Sequence, residues 1–140
     1  MLDQYVICGA GVDTFSFRNK DPNVEVFELD LLPTQSYKKN RIRELKWSVS
    51  ENVHFVAIDF SKDSIAERLV ANGFDCKKPT VISILGVSYY LPLPVFAETV
   101  RQFSEIASTG ILIVFDYLQK EAYSNSVQEL RKIVADCGET

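Results

Sequence analysis

The stretch Gln4–Asp30, which reads QYVICGAGVDTFSFRNKDPNVEVFELD, decides the fold. It predicts in order a buried strand, a glycine loop, a short helix to about residue 18 and a second strand, with the strands over 4–8 and 25–30. Glycines at the carboxyl end of a strand let the backbone approach a ligand closely, because they carry no Cβ. The helix that follows offers free N–H groups, and Asp30 is placed to accept hydrogen bonds from a ribose. The pattern therefore predicts half of a nucleoside-binding site.

The composition is typical of one folded domain, and we expect a single domain over residues 1–140. Hydrophobic residues make up 46% of the chain and charged residues 24%, as in globular proteins. The net charge of −4 argues against a nucleic-acid partner, which would require a basic face. No apolar run reaches the roughly 20 residues that span a bilayer, and nothing resembles a signal peptide. We therefore expect no membrane partner and a cytoplasmic location.

The cysteines and the histidine indicate structural roles. Cys8, Cys76 and Cys137 are odd in number and far apart, so neither a metal site nor a disulfide framework is expected. Cys8 lies in an apolar strand and is interpreted as a core residue. His54 is the one histidine of the chain and falls at the start of a predicted strand, where we also expect a structural role.

The rest of the chain alternates strands with helices. Further strands are predicted over 53–58, 81–85 and 111–115, and further helices over about 33–46, from 61, over about 94–107 and from about 122. This alternation predicts an α/β fold with a doubly wound, mostly parallel sheet of about five strands in the order 3-2-1-4-5. A crevice would open between the first and fourth strands. The residues expected at its edge are Gly9, Gly11, Asp30, Asp59 and Gly86.

Helix faces and caps are predicted from spacing. In the second helix Tyr37, Ile42 and Leu45 are expected to face inward. A basic run in that helix is interpreted as a solvated face, and its members are Lys38, Lys39, Arg41, Arg43 and Lys46. The next helix is expected to be capped by Ser61 and stopped by Gly73. Its inward face is predicted to be Ile65, Leu69 and Val70, and Asp116 after the fifth strand is interpreted as structural.

The loop chemistry favours a cofactor without phosphate. A dinucleotide site requires a third glycine three positions after the second, and this chain has Thr14 there. Asp13, beside the loop, would repel a pyrophosphate. A cofactor that carries an adenosine and an amino acid fits better, and S-adenosylmethionine is such a molecule. A nicotinamide-dependent oxidoreductase stays an alternative, because the glycine pair and Asp30 fit it in part.

Four blocks of sequence occur in a recognisable order. They are GAGVDT at 9–14 followed by Arg18, VFELDL at 26–31 followed by Pro33, AIDF at 57–60 and GVSYYLP at 86–92. Together they resemble the leucine carboxyl methyltransferase family of S-adenosylmethionine-dependent methyltransferases, which also holds bacterial O-methyltransferases linked to polyketide synthesis. The resemblance implies a Rossmann-like methyltransferase sheet and S-adenosylmethionine as cofactor.

The resemblance also implies residue roles. Gly9 would approach the methionine part of the cofactor, Asp30 would bind the ribose hydroxyls, and Asp59 with Phe60 would flank the adenine. The segment 86–90 would line the pocket near the transferred methyl group. The expected cofactor-binding residues are Gly9, Ala10, Gly11, Asp13, Asp30, Leu31, Asp59, Phe60, Leu85 and Gly86, with Tyr89 and Tyr90 on the substrate side. No catalytic residue and no metal ligand is predicted.

Structural interpretations stay open beside these roles. The glycines could serve only a tight turn, Asp30 and Asp59 could cap the helices that follow them, and Asp13 could be a cap. Tyr89 and Tyr90 could be core and rim aromatics.

The chain also departs from the family pattern. Phe15 stands where the family has an arginine, and Leu85 stands where it has a glutamate. The family's upstream helices and the last two strands of its sheet are missing, so we expect a truncated version of a longer chain. The expected function is methyl transfer to a carboxylate or hydroxyl oxygen of a small-molecule, polyketide-like or protein acceptor. The alternative is a truncated or degenerate module without activity, and the exposed sheet edge could support a homo-oligomer.

Overall fold

The structure, a computed structural model, describes residues 2–88, 91–106, 110–118 and 125–137. Its elements in chain order are β1 (Gln4–Cys8), α1 (Phe15–Arg18), β2 (Glu25–Asp30), α2 (Leu32–Glu44), β3 (Val53–Ala57), α3 (Ile65–Ala71), β4 (Thr80–Ile84), α4 (Leu93–Ile106), β5 (Ile111–Phe115) and α5 (Asn125–Asp136). The bounds of β1, β2 and β5 agree with the sequence prediction. Strand β3 ends one residue earlier than predicted, and β4 begins and ends one residue earlier. The predicted end of α4 at 107 and the predicted start of the last helix at 122 lie outside the described residues.

The five strands form one parallel sheet in the order β3-β2-β1-β4-β5. Cys8, at the carboxyl end of central strand β1, is in register with Leu29 of β2 and Ile84 of β4. The carboxyl ends of these strands therefore lie side by side at one edge. The doubly wound α/β class and the strand order predicted from the sequence are confirmed.

The core lies on both faces of this sheet. One face packs against α3 and α4 in a cluster that includes Val6, Phe27 and Phe103, each with 0% exposure. The other face carries a smaller cluster around Ile7 and Val26. Because side chains alternate between the two faces of a strand, β1 and β2 contribute to both clusters. These buried strands are a rigid base for the loops at their carboxyl ends.

The inward face predicted for helix α2 was partly wrong. Tyr37 and Leu45 are exposed, so of the three predicted residues only Ile42 is buried. Gln35 and Lys38 are buried beside it. Lys38 pairs with Glu28 of β2, which is 1% exposed. The interpretation of this lysine as part of a solvated face was wrong, because a buried carboxylate on the sheet attracts its ammonium group.

The predicted cap of helix α3 was wrong, because Ser64 and not Ser61 caps this helix. The hydroxyl of Ser64 accepts a hydrogen bond from the backbone N–H of Glu67 at 3.3 Å. Ser61 instead lies in the preceding turn, where its hydroxyl donates to Asp59. Val70 is exposed, whereas the buried residues of the helix are Ile65 and Leu69. Gly73, with a φ of +96°, follows the helix end as predicted.

His54 lies at the end of the sheet away from the strand tips. Its Nε2 is 2.6 Å from a carboxylate oxygen of Glu25, and its ring stacks on Phe27 at 4.7 Å between centroids. It therefore links β2 and β3 and has a structural role. Cys8 is buried in the core, as expected.

Neither a metal-binding cluster nor a membrane-spanning helix occurs among the described residues. Within the described ranges, no three or more histidine, cysteine and acidic side chains are grouped as a metal ion would require. The helices in those ranges are too short or too polar to span a bilayer.

Candidate functional site

A cavity of about 420 Å³ opens at the carboxyl ends of the strands. Its volume falls within the range of roughly 300–1,000 Å³ that is typical of small-molecule sites. The lining residues come from the tips of β1, β2, β3 and β4 and from the start of α4. They are Gly9, Gly11, Asp30, Leu31, Asp59, Phe60, Ser61, Leu85, Gly86, Val87, Leu91, Pro92 and Val95.

Most of the expected cofactor-binding residues line this cavity, but Ala10 and Asp13 do not. Ala10 is 7% exposed and packs in the smaller core cluster. The carboxylate of Asp13 accepts a hydrogen bond from the N–H of Phe15 at 2.7 Å, at the start of α1. Tyr89 and Tyr90 lie outside the described residues.

Sequence reasoning missed four lining residues, which are Ser61, Leu91, Pro92 and Val95. Ser61 directly follows the Asp59-Phe60 pair, and Leu91 and Pro92 end the fourth sequence block, so proximity to those motifs could have identified them. Val95 has no such signal. Its position depends on how the first turn of α4 packs over the cavity.

The glycine loop after β1 has two glycines in the left-handed region, with φ values of +64° for Gly9 and +50° for Gly11. A Cβ on Gly9 would lie 2.5 Å from Cγ2 of Val87, closer than real atoms approach. A Cβ on Gly11 would meet nothing nearer than a backbone oxygen at 4.0 Å. Gly9 is therefore required for packing against the loop after β4, whereas Gly11 has an open side where a ligand can approach.

Asp30, at the tip of β2, accepts a hydrogen bond from this loop. One carboxylate oxygen accepts the N–H of Gly11 at 2.7 Å, and the other accepts the N–H of Leu31 at 2.8 Å. A carboxylate oxygen has two lone pairs, so accepting one backbone N–H does not prevent an oxygen from also accepting a ligand hydroxyl. A structural role and a binding role for Asp30 are therefore compatible.

The tip of β3 is held by Asp59. Its Oδ1 accepts hydrogen bonds from the hydroxyl and the N–H of Ser61, at 2.5 and 2.9 Å. These two bonds, with a smaller contribution from Lys62, lower the pKa of Asp59. The N–H of Asp59 donates in turn to Asp63 at 2.8 Å. The turn is thus fixed in the conformation that places Phe60 at the cavity wall.

The tip of β4 is held by Asp116, which follows β5. The N–H of Gly86 donates to both carboxylate oxygens of Asp116, at 2.9 and 3.0 Å. The hydroxyl of Ser88 donates to the carbonyl oxygen of Asp116 at 2.6 Å. The structural interpretation of Asp116 agrees with these contacts, which position the wall formed by Gly86 and Val87.

The charged side chains among the described lining residues are both acidic. Asp30 and Asp59 lie at the cavity, and the described lining residues include neither a lysine, an arginine nor a histidine. A pyrophosphate there would face carboxylates without a compensating cation, which is unfavourable. An uncharged or positively charged group that donates hydrogen bonds fits this chemistry better.

Comparison with known proteins agrees with this geometry. The family model of leucine carboxyl methyltransferase matches residues 1–104. YktD of Bacillus subtilis (strain 168), provisionally named an S-adenosyl-L-methionine-dependent methyltransferase, is 37% identical over 97% of this chain and 47% of its own length. A protein of Mycobacteroides abscessus with the same provisional name is 35% identical over 79% of this chain and 36% of its own length.

Solved structures show the shared fold. A provisionally named methyltransferase from Thermobifida fusca has a TM-score of 0.66 at 17% identity, over 96% of this chain and 52% of that one. The glycopeptide N-methyltransferase MtfA, solved with S-adenosyl-L-methionine, has a TM-score of 0.60 at 19% identity, over 89% of this chain and 52% of that one.

The chain spans about half the length, or less, of the curated relatives described above. The match to the family model nevertheless covers the glycine loop and the tips of β2, β3 and β4, which together form the cavity. The protein therefore belongs to the leucine carboxyl methyltransferase family.

Proposed function

We propose that this chain binds S-adenosylmethionine in the cavity at the strand tips and takes part in methyl transfer. One observation carries the proposal: the open side of Gly11 and the carboxylates of Asp30 and Asp59 converge on a single cavity, and the described residues that line it include no cation. The cofactor bears a positive sulfonium and two ribose hydroxyls and lacks phosphate, so its charge and hydrogen-bond donors match this lining.

Each wall of the cavity has a proposed role. The backbone at Gly9 and Gly11 would contact the methionine part, and Asp30 would accept hydrogen bonds from the ribose. Asp59 and Phe60 would flank the adenine. Leu85 would contact the cofactor, and Gly86 and Val87 would lie near the transferred methyl group; all three line the cavity.

When bound, the cofactor supplies a methyl group on a sulfonium that is already activated for in-line displacement. The residues of the protein would mainly hold the acceptor in line, which can lower a barrier by several kcal/mol. A carboxylate acceptor is ionised at neutral pH and requires no general base. Apart from Asp30 and Asp59, which are proposed to bind the cofactor, the described lining residues include no titratable side chain that could act as a base. O-methylation of a carboxylate therefore fits better than that of a hydroxyl. The acceptor class would be a small molecule, a polyketide-like acid or a protein carboxylate.

A second candidate function is a methyltransferase-like module without activity. Leu85 favours it, because this side chain is apolar and 54% exposed at the place where the family has a glutamate. Such a module would act through association. Edge strand β5 carries the exposed side chains Leu112 and Val114, and an edge with apolar side chains supports a proposed homo-oligomer. In either case we propose a cytoplasmic location, which the widely spaced cysteines support.

Calorimetric titration with S-adenosylmethionine, S-adenosylhomocysteine and NAD tests the proposal. Both adenosyl compounds should bind and NAD should not. Binding of NAD alone would refute the proposed cofactor, and binding of neither adenosyl compound would favour the inactive module.

The variant Asp30→Ala should weaken adenosyl binding by about 1–3 kcal/mol, since it removes charged acceptors from the ribose. Asp21→Ala is a matched control, because this exposed aspartate precedes β2 at the opposite end of the sheet. Unchanged affinity in Asp30→Ala would exclude the ribose role of Asp30.

A further inference from the structure

Lys38 has an unusual environment for a lysine in the middle of a helix. Its side chain is 7% exposed, although α2 lies at the surface and its neighbours Tyr37 and Lys39 are exposed. Its Nζ contacts a carboxylate oxygen of Glu28 in β2 and donates to the backbone carbonyl of Asp13 at 2.6 Å. A single ammonium group therefore joins a strand, a helix and the glycine loop.

Glu28 explains why a lysine is buried there. Its side chain is 1% exposed, and removal from water raises the pKa of its carboxyl group while Lys38 opposes that rise. A buried carboxylate is costly unless a cation and hydrogen bonds compensate it. The Glu28–Lys38 pair therefore draws α2 onto the face of the sheet that also carries the smaller core cluster.

The second contact of Lys38, with the carbonyl oxygen of Asp13, is different, because it does not contribute to charge neutrality. An ammonium group has three N–H donors, and one of them bonds the carbonyl of Asp13, where the glycine loop passes into α1. On the cavity side the same loop is held by Asp30, which accepts the N–H of Gly11. At the β1 end, the N–H groups of Gly9 and Ala10 both donate to the carbonyl of Leu29, at 2.8 and 3.2 Å.

These contacts hold the loop at its start, in its middle and at its end, where the N–H of Asp13 also donates to the carbonyl oxygen of Ala10 at 2.8 Å. Gly9 and Gly11 both have positive φ values, and glycine in such a loop loses more conformational entropy on ordering than any other residue. A loop that lost the contact with Lys38 would sample other conformations more often, and a ligand would then have to order it. The anchor at Asp13 should therefore affect affinity although it does not reach the cavity.

We propose that Lys38 is a positioning residue for cofactor binding, which holds the loop 9–13 in its binding conformation through the carbonyl of Asp13. The proposal rests on the proposed function, since it assumes that the cavity binds an adenosyl cofactor. It assigns to Glu28 the role of keeping the ammonium group in place. The competing interpretation is that the Glu28–Lys38 pair serves only the packing of α2 on the sheet.

The test separates these two interpretations with a double variant. Lys38→Met alone leaves Glu28 buried without a partner, which strongly destabilises a fold. Glu28→Met with Lys38→Met removes both charges, a change that is often neutral for stability, but the carbonyl of Asp13 still loses its donor. Lys38→Arg keeps a cation that can reach both partners. Lys39→Met is the matched control, because it removes the neighbouring exposed lysine of the same helix.

Two measurements are made on each variant. The first is the Kd of S-adenosylhomocysteine by calorimetry, and the second is hydrogen exchange at the amides of Gly11 and Asp13 without ligand. In the double variant we expect a rise in Kd of about tenfold, which corresponds to about 1.4 kcal/mol, together with faster exchange at both amides. Lys38→Arg should keep most of the wild-type affinity and most of the wild-type protection from exchange. Lys39→Met should match the wild type in both measurements.

The outcomes are distinct. A double variant that folds, binds as the wild type does and shows unchanged exchange would overturn the proposal. Failure of both Met variants to fold would also overturn it, because the pair would then serve the whole fold. If the wild type binds no adenosyl compound, the proposed function fails, whereas the exchange rates still show whether Lys38 holds the loop.

Discussion

Gly9→Ala is the substitution for which the structure predicts the largest local effect. The φ of +64° at Gly9 is unfavourable for any residue with a Cβ. The new Cβ would also lie 2.5 Å from Cγ2 of Val87. Valine is stiff about χ1, and Val87 is 3% exposed, so it has little room to move away.

The expected magnitude is the sum of two contributions. Backbone strain in the left-handed region costs roughly 1–2 kcal/mol, and overpacking of a buried contact costs roughly 1–3 kcal/mol. Gly9→Ala should therefore lower the free energy of unfolding by about 2–5 kcal/mol. At Gly11 the φ is +50° and an added Cβ would make no close contact. Gly11→Ala should therefore lower the free energy of unfolding by only about 1–2 kcal/mol.

Urea unfolding followed by circular dichroism measures both losses. In a double-mutant cycle, Val87→Ala combined with Gly9→Ala should recover part of the loss, since it removes the clashing methyl group but not the backbone strain. Equal losses for Gly9→Ala and Gly11→Ala, or no coupling between positions 9 and 87, would refute the role of Val87. Gly11→Ala should instead reduce adenosyl binding more than stability, because its new methyl group occupies the open side of the loop.

Two further substitutions test individual contacts of the fold. Ser64→Ala should lower the free energy of unfolding in urea by about 1 kcal/mol because it removes the cap of α3; an unchanged free energy of unfolding would show that Ser64 does not cap this helix. Asp116→Ala removes the acceptor of the Gly86 N–H at an exposed site and should cost about 0.5–1.5 kcal/mol in denaturant unfolding. It should also speed hydrogen exchange at Gly86, and exchange at the wild-type rate would show that this contact does not hold the β4 tip.

The fold could be predicted because its signals are local. Buried parallel strands are short apolar runs, and those over 4–8, 25–30 and 111–115 were identified to the residue. The order of the strands follows from the alternation of strands with helices together with the topology of doubly wound sheets. The cavity could be located for the same reason, because the carboxyl ends of parallel strands meet at one edge.

The contacts that hold the cavity could not be predicted in this way. Gly9 and Val87 are 78 positions apart in sequence and touch because the loops after β1 and β4 lie side by side. Asp116 reaches Gly86 across 30 positions for the same reason. Such contacts depend on loop conformation and on the reach of side chains, which a local pattern does not contain.

The environment of Lys38 is the clearest example of a contact that a local sequence pattern does not predict. In a helix with polar residues all round, spacing does not indicate which cation faces the sheet, and the basic run therefore looked like a solvated surface. The sequence by itself determined the strands, their order and the edge at which the motif residues meet, because hydrophobic periodicity and chain connectivity are properties of the sequence. Only the tertiary structure decided which partners hold each loop, because a buried charge is compensated by whichever group the packed helices and strands bring within hydrogen-bond distance.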